Sequence, residues 1–84
     1  MLFAGYCVVL AAGPTASGPT EVKVRAEAGM PFQVPDCFFL SKANVSREVL
    51  ATALVAITTG THVWCEIATP QTPYSELTRF VFEK

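Results

Sequence analysis

The sequence predicts a mainly β fold with one helix: a five-stranded Greek-key barrel whose helix lies between the third and fourth strands. Three observations carry this. Residues 21–27 (EVKVRAE) and 62–67 (HVWCEI) alternate with a period of two, as strands with one buried side do. Residues 45–59 place apolar side chains at helical spacing. Stretches rich in Gly and Pro separate these segments, which suits short strands joined by turns.

In chain order, residues 2–11 are apolar, with a Tyr, a Cys and two Val, and predict a buried strand. Residues 12–20 (AGPTASGPT) hold two Gly-Pro pairs and predict a surface loop. In the second strand Val22, Val24 and Ala26 point inward, and Glu21, Lys23, Arg25 and Glu27 face out. Gly29 and Pro31 mark a turn. A third strand draws on FQVPDCFFL, with Pro35 at a bulge or edge.

The helix spans about residues 45–59. Asn44 or Ser46 is the expected cap, and Glu48 suits the orphan N–H groups of the first turn. Asn44-Val45-Ser46 is also a formal glycosylation sequon, for which an N-cap is the simpler account. Val49, Leu50, Ala53, Leu54 and Ile57 form the expected buried stripe, Arg47, Thr52 and Thr59 a thin polar side. Gly60 is the expected C-cap. In the fourth strand Val63, Cys65 and Ile67 share one side, and His62, Trp64 and Glu66 the other. After a proline-punctuated loop (68–74), residues 75–83 predict a last strand, with Leu77, Arg79 and Val81 alternating against Thr78, Phe80 and Phe82. Three strands, a helix and two strands is the layout of the OB-like barrel. The competing layout is an open antiparallel sheet with the helix across one side.

The 84 residues predict one domain, 1–84. With 51% hydrophobic and only 15% charged residues, so small a chain has more apolar surface than one modest core absorbs, which points to a side covered by other subunits. A net charge of -1, with Lys23 and Arg25 flanked by Glu21 and Glu27, argues against a nucleic-acid partner. LFAGYCVVLAA followed by GPTASG resembles a secretory signal core but lacks a basic n-region, so it is read as the first strand. No segment reaches about 20 apolar residues, so no membrane span is expected.

Cys7, Cys37 and Cys65 include no close-spaced pair. They fit one long-range disulfide with an odd thiol, for which Cys37 with Cys65 is the expected pair, or three buried thiols in a reducing compartment. No metal is expected, because a single His and scattered Cys give no ligand spacing. Cys65 should face away from His62. No phosphate-binding Gly motif is present and no cofactor is expected. No nucleophile-and-base constellation is recognisable, so the chain is expected not to be an enzyme.

Ligand chemistry concentrates in two places. Trp64 offers a platform for a sugar ring or an interface anchor, with His62 or Glu66 supplying hydrogen bonds. The loop 68–74 offers Gln71, Thr72 and Tyr74 at a barrel rim. Trp64, His62, Gln71 and Tyr74 are therefore the expected ligand-binding residues. Tyr6 and the loop 12–20 are weaker candidates.

The segment ALVAITTGTHVWCEI resembles the helix-plus-strand portion of the small B subunits of bacterial AB-type toxins and related secreted oligomeric barrel domains. Ala53, Leu54, Ala56, Thr59, Gly60, Val63 and Ile67 carry the resemblance, which covers most of the chain in layout. It implies a secreted barrel that assembles as a ring, helices at the centre, and binds cell-surface glycans. No sugar-contacting residue transfers from it. Two expectations follow. The first is a secreted or periplasmic, non-catalytic oligomeric binding subunit, toxin B-subunit-like and glycan-binding, forming a homo-oligomer or toxin-like hetero-assembly. The second is a small structural or assembly protein acting only through protein–protein contacts, cytoplasmic with free thiols.

Overall fold

The computed structural model describes residues 3–30, 34 and 36–82. The expected turn residue Pro31, the third-strand residues Phe32, Gln33 and Pro35, and the strand ends Leu2 and Glu83 lie outside these. The elements are β1 (Phe3–Pro14), β2 (Thr20–Ala26), β3 (Cys37–Leu40), a short 3-10 turn (Ala43–Val45), α1 (Ser46–Thr59), β4 (Val63–Ile67) and β5 (Leu77–Phe82). The strands form a five-stranded antiparallel sheet in the order β3-β2-β1-β4-β5, with α1 following β3 and preceding β4.

The sheet is not closed into a barrel by strand pairing. Its two ends touch through one parallel bridge, Leu40 with Glu76. Around it Leu40 N–H donates to Ser75 O (3.0 Å) and Tyr74 N–H to Phe38 O (2.7 Å), so the β4–β5 loop lies along the outer edge of β3.

β1 runs three residues beyond the expected end at 11, because Ala12, Gly13 and Pro14 pair with Val22, Glu21 and Thr20. The hairpin turn shrinks to residues 15–19, where Gly18 takes φ +116°, open to glycine and strained for other residues. A bulge between Val9 and Ala11 lets the long strand bend.

The inward side of the sheet follows the expected alternation in β2 and β4. Val22, Val24 and Ala26 are buried, as are Val63, Cys65 and Ile67. β5 departs from it. Leu77 pairs with Ile67, and a bulge at Thr78 then puts Arg79 opposite Glu66, so Phe80 and Phe82 return to the inward side. Leu77, Arg79 and Val81 therefore do not share a side. Thr78 Oγ1–H holds the bulge by donating to Glu66 O (3.1 Å).

The helix start and its buried stripe also differ from expectation. Val45, not Asn44 or Ser46, occupies the N-cap position, and no side-chain cap is made. The 3-10 turn leads into the helix, which is tied from outside by Thr20. Its N–H donates to Ser41 Oγ (3.0 Å), Ser41 N–H returns to Thr20 O (2.9 Å), and Thr20 Oγ1–H donates to Ser46 O (2.9 Å). Among the described residues Thr20 and Ser41 are the buried polar ones. α1 then buries Val49, Ala53 and Ala56, whereas Leu54 and Ile57 are 49% and 41% exposed. Small residues face the sheet because the helix lies close to it, and the bulkier side chains turn outward. Gly60, with φ +71°, ends the helix and donates N–H to Ala56 O (2.8 Å).

Core energetics follow from this layering. Phe3, Phe39, Ile67, Val22, Val24 and Val63 are fully buried between sheet and helix, each stabilising the fold by about 1.5–3 kcal/mol relative to exposure. Thr20→Val keeps the shape but removes the hydroxyl that donates to Ser46 O at the start of α1. It is expected to lower unfolding free energy by about 1–3 kcal/mol, measured by urea denaturation.

Candidate functional site

The outward side of the sheet is unusual for a solvated surface. Strand register places Tyr6 of β1 beside Trp64 of β4, and Trp64 beside Val81 of β5. In the next row Ala4, Glu66 and Arg79 stand in line. Tyr6 and Trp64 meet edge to face, ring centroids 5.0 Å apart at 83°, a geometry favoured by the ring quadrupoles. Trp64 Nε1–H donates to Glu66 Oε2 (3.2 Å), and Arg79 Nη1 lies 3.9 Å from that oxygen. Tyr6, Trp64, Glu66 and Arg79 line an open cleft of about 260 Å³.

This arrangement fixes the indole. Its N–H is occupied and its orientation set by both Tyr6 and Glu66, while the half-buried ring still meets solvent. The second Glu66 oxygen and the 59%-exposed Arg79 side chain remain for an incoming molecule. An aromatic surface beside one acceptor and one cation suits a ligand with an apolar flank and hydroxyl groups around it.

Of the four expected ligand-binding residues, the structure puts only Trp64 on this cleft. His62 lies just before β4, exposed, with Nδ1 against Glu27 Oε1. Gln71 and Tyr74 are exposed on the β4–β5 loop and do not line the cleft. That loop is a structural knot. Thr69 N–H donates to Ser75 Oγ (2.9 Å), Ala68 N–H to Glu76 O (3.1 Å), and Pro70 is fully buried. Tyr74 adopts φ +63°, left-handed backbone that turns the chain onto β3. Tyr6 is only a weaker candidate from the sequence, and Arg79 is not among the candidates. Strand order brings them to Trp64, and no local signal announces it.

Elsewhere on the same side, Arg25 grips Asp36 through both its Nε (3.1 Å to Oδ1) and a terminal nitrogen, and Lys23 Nζ lies 5.9 Å from the Phe38 ring centre. The hydrogen bond from Arg25 lowers the Asp36 pKa, outweighing desolvation, with the charges of Arg25 and Lys23 adding to it. The cations of β2 are thus already engaged with partners on or beside β3.

The cysteines are all free. The expected Cys37–Cys65 bridge is not formed. Cys37 is on β3 and Cys65 on β4, with β2 and β1 between them, so they stand three strand spacings apart, about 14 Å along the sheet. Cys65 instead meets Cys7, the buried diagonal neighbour on β1. The hydrogen bond with Cys7, then burial, pushes the Cys65 thiol well above its usual pKa, which leaves it protonated and inert. Cys37 is half-buried, and burial raises its pKa too. Among the described residues no group of three or more His, Cys, Asp or Glu gathers as metal ligands. No helix among them is long and apolar enough to cross a membrane.

No known family model matches the chain, and no curated protein or solved structure matches it either.

Two outcomes are expected. In native protein a thiol reagent should label Cys37 alone, with Cys7 and Cys65 reacting only after denaturation, read by mass spectrometry. Because the folded Asp36 pKa is depressed, its pair with Arg25 is complete above the ordinary carboxylate pKa and lost as pH falls through the lower folded value. Arg25→Ala should move the Asp36 midpoint back up toward the ordinary range in an NMR titration.

Proposed function

We propose that this chain is a non-catalytic binding subunit that takes a cell-surface glycan on the Trp64 cleft and works as an assembly of copies, in the manner of toxin B subunits. The observation that carries the ligand half is the cleft of Tyr6, Trp64, Glu66 and Arg79. A pyranose presents an apolar patch of C–H groups to an aromatic ring and a rim of hydroxyls, each both donor and acceptor. Trp64 supplies the first, Glu66 an acceptor and Arg79 a donor. Secretion accompanies this reading.

The element order supports an OB-like Greek-key layout, in which β3 and β5 would be neighbours. The parallel contact of Leu40 with Glu76 has the direction such a layout requires.

The assembly half rests on α1. From Val49 to Thr61 the chain carries no charge, and Leu54 and Val55 are each 49% exposed. Ala51 and Val55 lie on the exposed side of the helix where a partner is expected, and Thr52 is half-buried toward β5. A second reading, a small assembly protein acting only through protein contacts, is favoured by the three free thiols.

Trp64→Ala is expected to weaken glycan binding by about tenfold or more, the loss typical of an aromatic anchor, on a glycan array followed by calorimetry with the best hit. A folded protein that binds no glycan on the array leaves the assembly-protein reading in its place.

A further inference from the structure

We propose that two copies of this chain pair β5 to β5 about a two-fold axis, joining their sheets into one. The idea rests on the assembly half of the reading above, narrows it to a closed pair in place of a ring, and makes no use of the glycan. It starts from the two end strands of the sheet. The edge of β3 is covered, since Phe38 O and Leu40 N–H are taken by Tyr74 and Ser75 of the β4–β5 loop. Past the single bridge of Glu76 to Leu40, no strand lies beyond β5 among the described residues, so the backbone groups on the far side of Leu77–Phe82 meet no ladder. Of the residues that commonly blunt such an edge, its sequence LTRFVF has no Pro and a single charge, Arg79.

The surroundings of β5 match the strand itself. Between it and the first half of α1 runs a groove of about 190 Å³, lined by the apolar Val45, Val49, Leu77 and Phe80 and by the charged Glu48 and Arg79. β5 carries Phe80 and Phe82 on its inward side, with Phe82 42% exposed. The strand of one copy thus offers the side chains that the groove of the other would take. The helix surface around Leu54, Val55 and Thr59 is likewise exposed and carries no charge.

One free end strand also dictates the symmetry. Head-to-tail pairing of end strands, in a ring or a fibre, would need both β5 and β3, and β3 is occupied. Pairing through β5 alone is isologous, hence antiparallel and closed at two copies. An axis perpendicular to the joined sheet puts both helices on the same side of it. The register centred on Val81 sets Phe80 of one copy opposite Phe82 of the other, a favourable aromatic pair, and avoids direct opposition of the two Arg79 cations.

Sedimentation equilibrium and native mass spectrometry on the full chain, without ligand, test this. The expected species is a dimer. Val81→Lys puts two ammonium groups face to face at the axis and should weaken the dimer by about tenfold or more, since like charges brought together across an interface cost several kcal/mol, with far-UV circular dichroism unchanged. Val81→Cys in a Cys37→Ser background should link the two copies under mild oxidation, because directly opposed residues bring their Cβ atoms within about 5.5 Å. This arm also serves if Val81→Lys does not fold. A monomer, a ring of more than two copies, a Val81→Lys dimer as tight as the native one, or absence of the 81–81 crosslink overturns the pairing. A monomer that binds sugar overturns the pairing alone, and a dimer that binds none overturns the glycan reading alone.

Discussion

The hydrogen-bond knot of Thr20, Ser41 and Ser46 is the constraint on which the layout depends. β3 ends at Leu40, and within six residues the chain must leave the sheet, turn and begin a helix over its inward side. That crossing starts at the buried Ser41, whose polar groups are costly there unless each finds a partner. Thr20, at the first position of β2, satisfies Ser41 on both sides and reaches the carbonyl of the first helical residue. The helix therefore starts where β2 starts, and this sets which of its residues meet β1, β2 and β5.

Once the helix is placed, size decides the rest. Ala53 and Ala56 let α1 settle close to the sheet, so a thin layer of Val and Phe fills the space between. The same closeness turns Leu54, Val55 and Ile57 outward. A helix with apolar residues nearly all round can bury one arc only, and the arc of small residues wins because it permits the shortest approach. The exposed apolar surface is a direct consequence of the packing that stabilises the core.

The outward side of the sheet obeys a different rule. Its side chains have no second layer above them, so they pair with one another along the rows of the sheet: Tyr6 with Trp64, Trp64 with Glu66, Glu66 with Arg79, and Arg25 with Asp36 beside β3. The bulge at Thr78 matters here. Without its extra residue Arg79 would fall on the inward side, and the cleft would lose its cation.

Read alone, the sequence determined much about single elements. Alternation in EVKVRAE and HVWCEI correctly divided inward from outward residues, because a period of two depends only on the pleat of one strand. Gly60 as the helix C-cap was equally local, a matter of left-handed backbone at one residue. Features that depend on a partner were not legible. The length of β1 is set by pairing with β2, the alternation of β5 by a bulge against β4, and the buried arc of α1 by its distance from the sheet. Trp64 could be named from the sequence, but its companions Tyr6 and Arg79 come from strands 58 and 15 residues away in the chain. Tertiary structure alone decided the cleft and the uncovered edge of β5, for one physical reason: both are properties of which strand lies next to which, and strand order is chosen by the core as a whole.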